Sequence, residues 1–119
     1  MSDRFTVIQK KNFKEGSSKS FSAKVGSKSF EGFVVKKNGR FYAYQNLCQH
    51  LPITLDLKDG RFFSHDRKAL QCHMHGALYE IETGICFAGP CEKEKLVSLE
   101  IVEEEERLVI RIPPETQKS

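Results

Sequence analysis

A chain of 119 residues has room for one domain with a modest core, and a hydrophobic content of 39% with nine Phe and three Tyr excludes a disordered polymer. Net charge is only +3, but residues 1–44 carry ten Lys/Arg against three Asp/Glu and the rest nine against thirteen. No run is long enough to cross a bilayer, the start has neither an apolar h-region nor a twin-arginine signal, and the basic residues join no nucleic-acid reading motif, so a cytoplasmic protein is expected.

In chain order the pattern is one of strands. Residues 4–9 alternate polar and apolar, and residues 14–18 supply a loop. Residues 20–25 and 29–36 set Phe and Val at strand spacing, broken at 26–28. Asn38-Gly39 suits a type I′ turn between strands 32–36 and 40–44, because both residues tolerate positive φ. The middle, residues 46–91, holds every Cys and every His. There, short strands are expected at 69–71 and 78–81, a tight turn at 82–84, an apolar strand at 85–87 and a rigid loop over Ala88, Gly89 and Pro90. Residues 96–102 and 108–112 alternate and read as a last hairpin around the acidic run from Glu103 to Glu106. Pro113-Pro114 ends it. No stretch reads as a helix. The fold class expected is all-β, a single domain over 1–119. An antiparallel β-sandwich base from residues 1–45 and 92–113 carries an inserted small subdomain of about residues 46–91.

The chemistry is concentrated in Cys48-Gln49-His50 and Cys72-His73-Met74-His75, a C-x-H and a C-x-x-H separated by twenty-one residues. Each half offers one thiolate and one imidazole, a set suited to an asymmetric iron pair with two cysteines on one iron and two histidines on the other. Structural zinc is the rival for Cys₂His₂, but C-x-H is tight for a zinc knuckle, and zinc motifs group their cysteines.

These motifs, with Gly76-Ala77-Leu78-Tyr79, Thr83-Gly84 and Gly89-Pro90, resemble the cluster-binding region of Rieske [2Fe–2S] ferredoxins. The resemblance implies that Cys48 and Cys72 hold an inner iron and that His50 and His75 hold an outer one. It also implies that Tyr79 donates a hydrogen bond to a ligand sulfur and that Gly89 and Pro90 cover the cluster. Two Fe³⁺, two sulfides and two thiolates sum to zero charge, so histidine ligation raises the potential into a range of about −150 to +300 mV. High-potential relatives carry an extra cysteine in each loop, joined as a disulfide, and a serine bonded to a bridging sulfide. Ile53, Met74 and Ala77 stand at those positions here, and the low end, about −150 to 0 mV, is expected. Residues 59–68 read as an enlarged hairpin loop that lengthens the gap between the two motifs.

The resemblance further implies a soluble, monomeric one-electron carrier, taking electrons from a reductase and passing them to an oxygenase or another oxidoreductase, with no nucleic-acid or membrane partner. A His, His and carboxylate iron site is missing, so the chain is not expected to be an enzyme. Two alternatives stand beside this: a non-catalytic Rieske subunit resembling the small subunit of nitrite reductase, and a regulatory redox sensor. Cys86 reads as a packed thiol and Cys91 as a neighbour of the cover loop.

Overall fold

The computed structural model describes residues 4–25, 28–46, 62–64, 66, 68–72, 76–89 and 95–112. Among them run β1 (Arg4–Gln9), β2 (Ser18–Val25), β3 (Lys28–Lys37), β4 (Arg40–Gln45), β5 (Leu70–Gln71), β6 (Leu78–Tyr79), β7 (Cys86–Ala88), β8 (Ile101–Glu103) and β9 (Arg107–Ile112). They form three antiparallel sheets in the orders β1-β9-β8, β2-β3-β4 and β5-β6-β7. The described residues contain no helix, and so none able to cross a membrane.

The hairpin predicted at Asn38-Gly39 forms, with φ of 55° and 77°. Its turn has a clasp invisible in the pattern: the two carboxylate oxygens of Glu15 accept the backbone N–H groups of Asn38 and Gly39. These bonds favour the ionised form and hold the Glu15 carboxyl below the usual range.

Phe33, Val34 and Val35 are consecutive and all fully buried, which a strand achieves only when both of its faces are covered. Phe33 and Val35 pack with Tyr44, Phe62, Leu70, Cys72 and Tyr79. Val34 packs the other way, with Ala43, Leu108 and Ile110. The β2-β3-β4 sheet is therefore the middle layer, with β1-β9-β8 on one face and the β5-β6-β7 insert on the other. Each such buried side chain contributes on the order of 1.5–3 kcal/mol. Gly32 is paired with Phe21, whose ring lies across it: a Cβ at 32 would stand 2.4 Å from the ring.

Part of the expected last hairpin is replaced by a change of sheet. Only β8 is regular within residues 96–102. Before it, Gln45 N–H donates to the Val97 carbonyl and Leu99 N–H to that of Ala43, both at 2.9 Å. The chain then leaves β4, and Ile101 pairs with Ile110 of β9. The alternation is real, but it serves two sheets in succession.

The enlarged loop closes as expected where it is described. Phe63 bridges Leu70, and Ser64 N–H and Gln71 N–H donate to Ala69 and Phe62. Phe62 is no loop residue in its packing; its ring stacks on Phe33 at 4.1 Å between centroids. Phe13, Phe33 and Phe62 are buried in the core, whereas Phe5 and Phe87 are about half exposed.

Candidate metal centre

β5 delivers the chain directly to Cys72, which is fully buried among Leu70, Ala77 and Tyr79. Two backbone bonds close the segment that Cys72 begins. Its N–H donates to the Ala77 carbonyl at 2.9 Å, and its own carbonyl accepts from Gly76 N–H at 2.7 Å. Gly76 takes a φ of 76°, the left-handed conformation that a reversal this tight requires. The root of the C-x-x-H motif is thus fixed by main-chain bonding.

Ala77 sits directly under the end of the next strand. Gly89 has a φ of 100°, and a Cβ there would lie 2.7 Å from the Ala77 Cα, so no side chain fits at 89. Tyr79 occupies the centre of the insert sheet, paired with Leu70 on one side and Cys86 on the other. The packed thiol expected at Cys86 is found: the residue is buried and its Sγ bonds the Ala88 carbonyl at 3.3 Å. Cys48, His50, His75, Pro90, Cys91, Ile53 and Met74 lie outside the described residues. Among those described, no group of three or more His, Cys, Asp or Glu gathers as a metal site.

The β6–β7 turn docks this insert onto the middle sheet. Tyr44 is buried and its phenol donates to the Ile81 carbonyl at 2.6 Å. Burial first, then the negative fields of Tyr42, Glu82 and Glu80, push its pKa well above the usual tyrosine range, so the phenol stays a donor. Gly84, with a φ of 77°, lets the Tyr44 ring approach where a Cβ would come within 2.7 Å of it. At the rim Lys37 pairs with Glu82 at 2.8 Å, and that bond lowers the Glu82 pKa. In the turn before β5 Asp66 accepts from Lys68 N–H and the Ser64 hydroxyl, which lowers its pKa too. None of these fixtures carries a motif; Tyr44 reads simply as one more strand residue.

A family model described as the Rieske [2Fe-2S] domain matches residues 3–110. The chain belongs to that family. This Rieske domain also resembles solved structures. The ferredoxin of carbazole 1,9a-dioxygenase from Nocardioides aromaticivorans IC177 is 23% identical over 92% of this chain and 97% of its own, with a TM-score of 0.69. A chain from a complex of reduced oxygenase and oxidized ferredoxin of carbazole 1,9a-dioxygenase is 22% identical over 89% and 92%, with a TM-score of 0.65. In the reduced complex of that oxygenase and ferredoxin, the matched chain is 19% identical over 89% of this one and 27% of its own, with a TM-score of 0.68. Identities this low establish the shared fold. No curated protein matches the chain in sequence.

Membership implies a Rieske-type cluster with two Cys and two His ligands. The described residues of this Rieske domain fit one. Cys72 offers a thiolate donor in an apolar interior, at the root of a segment already closed. Ala77 and Gly89 carry minimal side chains where the chain must come closest to that segment.

Proposed function

We propose that this Rieske domain carries single electrons between protein partners, with Cys48 and Cys72 as ligands of the inner iron and His50 and His75 as ligands of the outer one. The observation that carries the reading is a buried Cys72 at the root of a main-chain-closed segment, in a chain of the Rieske family. When bound, a cluster of this kind supplies reversible one-electron chemistry. The protein's own residues hold it: Cys72 is fixed by its two backbone bonds, and the contact of Gly89 with Ala77 keeps water from the inner side. Tyr79 serves as hydrogen-bond donor toward a ligand sulfur, and Pro90 stiffens the cover. With no sulfur-bonding serine at Ala77, the reduced state gains less stabilisation, which favours the low end of the Rieske range, about −150 to 0 mV.

The partners proposed are a reductase as donor and an oxygenase as acceptor. This rests on the similarity to the ferredoxin of carbazole 1,9a-dioxygenase, whose solved structures include complexes with its oxygenase. The chain acts as an electron-transfer component, without catalysis of its own, as a cytoplasmic monomer.

The deciding experiment is low-temperature EPR of the anaerobically purified, dithionite-reduced protein, with metal analysis. A rhombic spectrum of low average g-value, lost in Cys72→Ser and His75→Ala, is expected. A silent spectrum with one zinc per chain overturns the reading.

A further inference from the structure

The place where the chain leaves β4 opens a slot. In the β3–β4 hairpin Arg40, Tyr42 and Tyr44 exchange backbone bonds with β3, so Phe41, Ala43 and Gln45 turn theirs outward. Val97 and Leu99 take the Gln45 N–H and the Ala43 carbonyl, and no described residue takes the Ala43 N–H. Beyond Leu99 the chain diverges into β8, leaving a cavity of about 530 Å³ beside this strand edge. That volume lies in the range of small-ligand sites, about 300–1,000 Å³.

The lining specifies a ligand. Tyr42 contributes aromatic surface and Ile101 aliphatic surface, while Tyr44 is buried behind it and Phe41, on the other face of β4, packs against Phe13. Glu82, the one carboxylate among the described lining residues, is already paired with Lys37 at 2.8 Å. Lys95, also in the lining, has no carboxylate in ion-pair range among the described residues. A tyrosine ring, a cation that no described carboxylate pairs and an outward N–H together complement a flat ring bearing an anion.

We propose that the slot between β4 and residues 99–101 binds a planar aromatic carboxylate, its ring against Tyr42 and its carboxylate on Lys95 and the Ala43 N–H. Glu82 and Thr83 belong to the insert turn, and Phe41 and Leu99 to the base. The ligand therefore spans the seam between the two and raises the melting temperature when bound.

The test is isothermal titration calorimetry of the cluster-loaded protein with 2-naphthoate and with the uncharged 2-naphthamide. The carboxylate is expected to bind at least about tenfold tighter than the amide. Lys95→Gln, a surface change that leaves the fold alone, removes that advantage, and Lys68→Gln, outside the slot lining, keeps it. Tyr42→Leu weakens both ligands. No saturable binding at millimolar ligand, equal affinity for the two ligands, an advantage that survives Lys95→Gln, or binding indifferent to Tyr42→Leu overturns the proposal. None of these residues is a cluster ligand, so the result stands independently of the electron-carrier reading.

Discussion

Replacing Tyr44 by Phe removes one oxygen atom and tests the joint between insert and base. The ring keeps its place beside Phe33, 6.0 Å between centroids, while the bond to the Ile81 carbonyl is lost. A buried carbonyl left without its donor costs about 1–3 kcal/mol. At the entropy of unfolding of a chain this long, that lowers the melting temperature by about 4–12 °C. The phenol also fixes a pH signature. Its folded pKa lies above the unfolded value of about 10. The unfolded chain therefore releases this proton first as pH rises, and stability present below pH of about 10 is lost above it, at up to about 1.4 kcal/mol per pH unit. Urea unfolding of the cluster-loaded wild type and Tyr44→Phe, from neutral to strongly alkaline pH, reads both effects. The gap between them should be widest near neutrality and should narrow above pH of about 10. Equal midpoints at neutral pH, or a gap that does not change with alkalinity, would show that the bond does not hold the insert down.

Other changes probe the centre and the hairpin. Ala77→Ser introduces a hydroxyl beside the cluster segment and should raise the midpoint potential in voltammetry; a fall with an intact EPR spectrum refutes the sulfur-bonding argument. Gly89→Ala drives a Cβ to 2.7 Å from the Ala77 Cα at a φ of 100°, so a strain of about 1–3 kcal/mol and reduced iron content are expected. Full iron occupancy in that variant would mean that the contact is dispensable. The depressed pKa of Glu15 makes its contribution present above the ordinary carboxylate range and lost as pH falls through the folded value. The stability difference between wild type and Glu15→Gln should accordingly shrink between about pH 6 and about pH 3, and a constant difference assigns no role to the charge.

The strands were legible because local rules govern them. Alternation in residues 4–9 and the Asn38-Gly39 turn are decided by neighbours a few residues away, and both are found. The C-x-H and C-x-x-H pair stood out for a different reason, since a metal demands particular side chains at particular spacings; of its four residues Cys72 is described, and it is buried. What stayed hidden depends on distant chain. Nothing near Tyr44 announces that its phenol meets Ile81, and nothing near Phe62 announces its stack on Phe33. The clasp of Glu15 on a turn more than twenty residues away is of the same kind. Residues 96–100 show the limit most clearly, because alternation specifies that a segment is extended but not which sheet receives it.

The pairing of β1 with β9 sets a timetable for biosynthesis. Arg4 lies opposite Ile112, so the first strand stays without its hydrogen-bonding neighbour until nearly the last has been made. The insert, with strands of two or three residues, is too short to persist alone and must wait for the layer it rests on. Closure across such sequence separation is slow compared with a local hairpin. Iron and sulfide delivery therefore belongs after β9 has been made, to a chain whose outer layers have already met.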